Sequence, residues 1–528
     1  MKKNIVFVVL MLLLSITACK KDKFAEYYVD PSSIGATSIE KQFSGSVSSM
    51  LDYTMYRYWN YFVVLQNTAL HYTQAVAWQN GPKQYEPGSA AIGARWGAYY
   101  GFVAQYKELL KVYNSAPTSE QKDKRIYLIA GTIFYYDQTQ KMVDLHGDIP
   151  WSAAGLLSTN NGDYGKSYAK YDDAATIYTK MLDDLKAYAD ELNTLSVPSG
   201  MAGIFKTQDF INKGDLTMWK KYCNSLRVRM LMRVSGVSSF QSRVSTEMAA
   251  IVGAPSTYPV CSTSSDNILI KVNSLDNSSV TSDLYSGIIG WGSNDRANKM
   301  MIDTMQNNAD PRLRAMFQPG VLSGTKYIGL DPLMDATSQG KLFAKDTLAR
   351  YNLSTISKNK KLPGILVTSA ATQLLLADYY LNIANNDAAA KTAYETGIKN
   401  SIDYYYMLRS ISDNNETAVA PTSDAEKTAY LSSNISWGKA SSKATKQNLI
   451  ALQKWINYSV LEPLESWAEI RRTNLPVLKF LNDNTSSLVQ QPPMRWTYPD
   501  DERVYNATNY NTVKAKDNLT TKIFWDIN

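Results

Sequence analysis

From about residue 37 onward, apolar positions recur at three- and four-residue spacing, the period of a helix with one buried face. Phe43, Val47, Met50, Leu51 and Met55 open the pattern behind Ser-Ile-Glu, a helix-start signature. They predict a long helix over about 40–78, and a second run predicts another over 92–113. Gln121 to Leu145 carries Ile126, Leu128, Ile129, Ile133, Phe134, Tyr136 and Val143 on a broad apolar face. Tyr171–Leu192 and Leu216–Val234 repeat the pattern, the latter through Trp219, Tyr222, Cys223, Leu226 and Met230. Ala370–Ala384 and Ala389–Met407, parted by Asn385-Asn386-Asp387, read as a helix pair, and Lys446–Leu461 and Ser466–Arg472 as the last helices.

The stretch 236–345 breaks this rhythm. It is rich in Ser, Asn, Gly and Pro with short β-branched runs such as Ile268-Leu269-Ile270-Lys271-Val272, and predicts loops with a few short strands. Residues 408–440 and 481–528 also read as irregular. The expected fold is therefore mostly all-α. Paired helices of this size suggest tetratricopeptide-like units around a loop-rich part, although the full repeat signature is not visible.

The first segment has a different purpose. Lys2 and Lys3 precede an unbroken apolar run from Ile5 to Leu14, too short for the roughly 20 residues that span a bilayer but proportioned like a secretory signal. It ends in Ile16-Thr17-Ala18-Cys19, a lipobox pattern in which cleavage precedes Cys19 and its thiol takes a diacylglycerol. Three acyl chains, at about 0.8 kcal/mol per buried methylene, anchor firmly where one does not. The reading is a signal peptide over 1–18, a lipidated tether over 19–36, and a single domain over 37–528 with its loop-rich insert at about 236–345. Cys223 and Cys261 are the remaining thiols; a pairing is open, and Cys223 in its helical pattern reads more simply as core.

Composition narrows the function. With 55 Lys plus Arg against 48 Asp plus Glu, the net +7 is too weak over 528 residues for a nucleic-acid binder. Two histidines and three cysteines make a Cys/His zinc site implausible, so no metal and no cofactor is expected. Gly165-Lys166-Ser167 lacks the first P-loop glycine, Asn160 standing there, and reads as a loop. His146 reads as a helix C-terminus capped by Gly147, and His71 as a structural histidine among aromatics. Glu462, Glu465 and Glu469 recur as a helical face balanced by Arg471 and Arg472.

Aromatic and amide residues cluster in loops. Trp78-Gln79-Asn80-Gly81-Pro82 is followed by Tyr85 and Trp96, and Trp291-Gly292-Ser293-Asn294-Asp295 falls in the loop-rich middle. A sugar offers an apolar C–H face to a ring and hydroxyls to amides, so Trp78, Asn80, Tyr85, Trp96, Trp291 and Asn294 are the candidate ligand-binding residues. The competing reading is that these rings are packing anchors. Most of the 36 tyrosines, including Tyr53, Tyr56, Tyr58 and Tyr61, read as packing.

An ordered set of segments carries a family resemblance. It comprises Tyr136-Asp137 with Asp144-Leu145-His146-Gly147-Asp148-Ile149-Pro150-Trp151, Tyr171-Asp172, Trp219 to Arg227, Asn308-Ala309-Asp310-Pro311-Arg312, Gln453-Lys454-Trp455, Glu465 to Asn474, and Arg495-Trp496-Thr497-Tyr498-Pro499. With the lipobox, this set resembles the SusD/RagB-like nutrient-binding outer-membrane lipoproteins of the Bacteroidetes over nearly the whole chain. The resemblance implies a helical fold with tetratricopeptide-like pairs and a loop-rich ligand part. It implies a non-enzyme that captures oligosaccharide, or in some members peptide, and delivers it to a SusC-like TonB-dependent barrel that it covers as a lid. It implies a lipid-anchored outer-membrane location facing the exterior. It transfers no fixed binding motif, and Asp148, Pro150, Trp219, Arg227, Trp467, Arg471 and Arg472 in its shared boxes are assigned to the fold, the two arginines through bidentate pairing with carboxylates. A surface glycoside hydrolase, which needs two carboxylates across a groove, and a scaffold for a protein partner are the alternatives.

Overall fold

The computed structural model describes residues 37–272, 281–289 and 295–528. Cys19, the signal segment and the tether, together with Trp291 and Asn294, lie outside the described residues.

The apolar periodicity is realised as helices α1 (Ile39–Ser48), α2 (Ser89–Ser115), α3 (Arg125–His146), α4 (Ala174–Glu191) and α5 (Leu216–Arg233) in the first half. The loop-rich region supplies α6 (Gln241–Gly253), α7 (Leu284–Ile289), α8 (Lys299–Asn307) and α9 (Ala336–Ala344). The second half adds α10 (Ser369–Asn382), α11 (Asp387–Ile411), α12 (Lys443–Tyr458) and α13 (Pro463–Thr473). Local chemistry sets several of the ends. Asp173, Asp215, Thr368 and Asn386 accept from first-turn amides as N-caps, and Ser442 forms a capping box with Thr445. Gly147 takes the positive φ of 76° that closes α3, as its position after His146 predicts.

Helices pack in pairs, α10 with α11 most extensively, then α1 with α2 and α4 with α5, while α12 also packs on α10. The strands are short antiparallel clips. β1 (Ile149–Pro150) pairs with β2 (Tyr171–Asp172), β3 (Ile268–Ile270) with β6 (Gly364–Val367), and β4 (Phe317–Gln318) with β5 (Arg350–Tyr351). The mostly helical fold and its paired helices are as the sequence predicts.

Two expectations change. The helix expected over 40–78 is broken into α1, a turn at Leu51–Thr54, a π-helical turn at Asn60–Leu65 and a turn at Ala69–Tyr72. The cause is tertiary: β6 crosses so closely that a Cβ at Gly364 would sit 2.5 Å from the Thr54 carbonyl oxygen, and the chain turns extended at Met55. The described residues of the span 236–345 hold five α-helices besides its short strands, the fifth a single turn at Leu313–Met316; at 4–13 residues they are too brief to display a clear period.

One large apolar core runs through the helical body. It encloses a polar seam that the sequence placed elsewhere. Glu465, Glu469 and Arg471 do not form an outer face but are each 5% exposed or less. Arg233 donates to Asp144 Oδ2 at 3.0 Å and to Glu465 Oε2 at 2.7 Å. Arg472 chelates Glu469 through Nε and Nη2 at 3.0 and 2.7 Å and reaches Asp378 at 2.5 Å, the expected bidentate pairing, although its partners stand on helices. Arg471 instead stacks over Trp467 at 3.8 Å and donates to the Asp144 and Met494 carbonyls. Asp144 also accepts from Tyr178 and from Trp525 Nε1, so the C-terminal tail is tied to the end of α3. Cys223 and Cys261 are both buried free thiols.

Candidate functional site

A cleft of about 760 Å³ opens where α8, α12 and four loops converge, within the ~300–1,000 Å³ range of small-ligand sites. Met300, Leu333, Leu449, Leu452 and Val477 give it an aliphatic floor. Its polar rim comprises Gln74, Thr304, Asn307, Asn308 and Asn434, and its charges are balanced, Lys299 and Lys479 against Asp303 and Asp331. Lys299 is bonded to Asp303. Asn308 is held by Thr304 and Ser433, whereas among the described residues Asn307 and Asn434 keep their amides for solvent or ligand.

The walls are built from distant parts of the chain. Asn298 caps α8, accepting from Met300 N at 2.8 Å, and donates to Gln74 Oε1. Gln74, in the left-handed region at φ 50°, donates to the Lys479 carbonyl at 2.6 Å. Gly329 lets the 329–331 strand-like segment approach α8, since a Cβ there would sit 2.5 Å from Lys299 Cα.

Of the sequence candidates, Asn80 and Tyr85 brace this cleft from behind and do not line it. Asn80, 8% exposed, donates through Nδ2 to the Pro332 and Met334 carbonyls at 2.8 and 3.0 Å, and its backbone N–H meets Gln339, which holds the Asp331 carbonyl. Tyr85 is fully buried, donates to the Leu481 carbonyl at 2.9 Å and packs edge-on to Phe480 behind Lys479. Trp78 stacks on His71 at 4.3 Å and donates to Gln84. Trp96 belongs to another region, edge-on to His146 at 5.0 Å and against Tyr498. The expectation that Trp78, Tyr85 and Trp96 offer open stacking faces is therefore corrected: their hydrophobic area is spent on the core, and the packing-anchor reading holds for them.

The correction also runs the other way. Nine of the ten described tryptophans are at most 9% exposed, and Trp59, at 54%, is the exception. Tyr58, read from sequence as packing, is 38% exposed and stacks on Phe62. Both lie inside the span 40–78 that the apolar periodicity predicts as one helix.

Both histidines are structural. Burial pushes the imidazole of His71 down to about 3, and burial with the positive Arg495 does the same to His146, so neither carries a proton near neutrality. Burial, then the charge of Glu465, pushes the Glu462 carboxyl up to about 8, but it lines a separate 60 Å³ cavity with Arg95 and Lys141, not the cleft.

Residues 37–499 match the SusD-like family described as "Starch-binding associating with outer membrane". The chain belongs to the SusD-like family. No curated protein matches it by sequence. Solved SusD homologues share its fold. A chitin-binding SusD homologue from Flavobacterium johnsoniae is 20% identical with a TM-score of 0.71, covering 92% of this chain and 99% of its own. SusD homologues from Bacteroides uniformis and Bacteroides thetaiotaomicron are 19% and 18% identical, each with a TM-score of 0.67. They cover 92% and 93% of this chain and 99% and 100% of their own. The resemblance read from the ordered motifs is thus confirmed. In this SusD-like chain the shared boxes serve the fold as expected: Asp148 accepts from Ala174 N, Trp219 donates to Asp209, and Arg227 pairs with Glu247. Among the described residues no helix is long and apolar enough to cross a membrane.

Proposed function

We propose that this SusD-like chain is a non-catalytic lipoprotein that captures a neutral oligosaccharide in the cleft between α8 and α12. It hands the ligand to a SusC-like TonB-dependent barrel. The observation that carries the reading is the cleft's chemistry. Its charges cancel and its rim is rich in amides, so it suits a ligand rich in hydroxyls, while the aliphatic floor accepts the C–H faces of sugar rings. Membership of an outer-membrane starch-binding family, and a chitin-binding neighbour in structure, support carbohydrate as the ligand class. Anchoring through acylated Cys19 would hold the domain beside the barrel on a short tether, facing the exterior.

The experiment is isothermal titration of the chain lacking residues 1–19 with chitohexaose and maltoheptaose, followed by chromatography of the recovered sugar. Micromolar binding of an unaltered sugar is expected, weakened at least tenfold in the double variant Asn307→Ala/Asn434→Ala. Shortened products would defeat the non-enzyme reading. In cells, Cys19→Ala should move the protein from the membrane to the soluble fraction, and an unacylated Cys19 in mass spectrometry of the native protein would remove the anchor.

A further inference from the structure

The small cavity that Glu462 lines lies apart from the cleft. Its walls include Arg95 of α2, Lys141 of α3, Tyr53 and Tyr56 of the turn after α1, and Leu464 and Glu465 at the start of α13. At about 60 Å³ it takes a few water-sized spheres of ~10–15 Å³ each and is too small for a sugar ring.

Arg95 is 1% exposed, yet its Nε has no hydrogen-bond acceptor among the described residues. Its guanidinium lies over the ring of Tyr53, 5.2 Å from the centroid, and Tyr53 is itself a wall of the cavity. A ring face balances part of the charge but takes none of the in-plane N–H groups. The other arginines buried as deeply all find an oxygen: Arg227 has Glu247, Arg233 has Asp144, Arg312 has Asp310, and Arg495 has the His146 carbonyl. Burial pushes Arg95 down to about 10, so it is still charged at neutral pH. A buried charge of this kind calls for a counter-charge.

The start of α13 adds donors to the same cavity. Glu462 stands at the N-cap but makes no side-chain cap, and Pro463 follows it without an N–H. Ser466 N bonds to the Glu462 carbonyl at 3.0 Å, which leaves the N–H groups of Leu464 and Glu465 without a partner among the described residues. The N-terminus of a helix favours negative charge. The Tyr56 hydroxyl, also on the wall, is buried without a partner. The acceptors nearby are already engaged: Glu465 takes Arg233 at 2.7 Å, and Lys141 is 3.3 Å from Asp137. Burial and the charge of Glu465 push the Glu462 carboxyl up to about 8, so at neutral pH it is largely protonated and can donate as well.

We infer that this cavity is a binding site for one small monovalent anion of halide size, held by the Arg95 guanidinium and the free amides of Leu464 and Glu465, and that the anion clamps α2 to the start of α13. The unpaired groups on the walls are donors, so an anion satisfies them where a cation cannot. The volume admits a halide and excludes a sugar. The site is independent of what the cleft binds.

The test uses the chain lacking residues 1–19 at pH 7, with sodium chloride replacing sodium gluconate at constant ionic strength; gluconate is too large for the cavity. The urea midpoint of wild type is expected to rise with chloride and to saturate, relative to Arg95→Gln, whose midpoint reports the general effect of exchanging the salts. In wild-type crystals grown in sodium bromide, anomalous scattering should place a bromide against the Arg95 guanidinium. No chloride response in wild type, or an equal response in Arg95→Gln, would overturn the site. A bromide peak in the cavity without a chloride response would be binding at crystal concentration only and would overturn it too. Should Arg95→Gln fail to fold, the wild-type measurements decide: a saturating response with bromide at Arg95 upholds the site, and a response with no bromide in the cavity overturns it.

Discussion

The side-chain amide of Asn80 donates to the carbonyl of Pro332 at 2.8 Å, joining residues 252 positions apart and fixing the wall of the cleft from behind. A second bond from the same nitrogen reaches the Met334 carbonyl. Asn80→Ala removes both and leaves two carbonyls unsatisfied, at a cost of about 1–3 kcal/mol. The expected result is a lowered urea midpoint together with several-fold weaker sugar binding at the cleft. Were Asn80 a direct ligand contact, affinity would fall with the midpoint unchanged; urea unfolding and titration of the same variant separate the two.

How the chain disclosed this site follows from what each residue does. The long helices were legible because each buries a wide apolar face, and Gly147 and Asp173 announce their ends through local chemistry alone. Asn80 and Tyr85 stand out in the sequence as candidate contacts, and in the fold they brace the cleft's rear wall. Aromatic and amide character is the same in a buried brace as in a contact residue, and only exposure distinguishes them. Asn307, Asn434, Leu452 and Val477 carry no sequence signal because they come from four separate segments with no shared spacing. The break in the expected 40–78 helix, which exposes Trp59, is imposed by β6 more than 300 residues later, beyond any local pattern.

Arg233 occupies the centre of the buried seam, with Asp144 at 3.0 Å, Glu465 at 2.7 Å and Glu469 at 3.5 Å. All four side chains are at most 6% exposed. Arg233→Met keeps the stem's volume but takes the buried guanidinium from Asp144 and Glu465, while Glu469 keeps Arg472 and Lys454. Breaking a buried ion pair from one side typically costs about 3–5 kcal/mol, so the variant should unfold at a much lower urea concentration or fail to accumulate. A midpoint within experimental scatter of wild type would show that the seam does not depend on this cation.

Cys223 donates its thiol to the Leu185 carbonyl, and Cys261 donates to that of Asp266. Burial pushes both thiols up to about 12, so neither is ionised or accessible at neutral pH. In the chain lacking residues 1–19, a thiol-reactive chromophore should label no cysteine in native buffer and two in 6 M guanidinium, without prior reduction. Two thiols appearing only after reduction would reveal a disulfide that the folded arrangement does not contain.

Acid sensitivity should come first from the two histidines. Their folded values of about 3 lie below the ordinary 6.5, so under mild acid the unfolded chain binds protons that the folded chain refuses. Stability from this source is complete above pH 6.5 and is lost as pH falls toward 3, reaching about 2 kcal/mol per histidine at pH 5. Glu462 acts with the opposite sign. Its folded value near 8 exceeds the ordinary 4.5, so its penalty grows as pH rises between those values and is relieved on acidification. A pH profile of wild type alone therefore mixes the two effects, and the informative quantity is the difference between variant and wild type. His71→Phe keeps a flat ring against Trp78 and cannot be protonated. Relative to wild type it should gain about 2 kcal/mol between pH 7.5 and pH 5 in urea unfolding, whatever its offset at pH 7.5. A difference that stays constant across that interval would show that His71 is protonated equally in both states, and that its burial beside Trp78 does not hold it neutral.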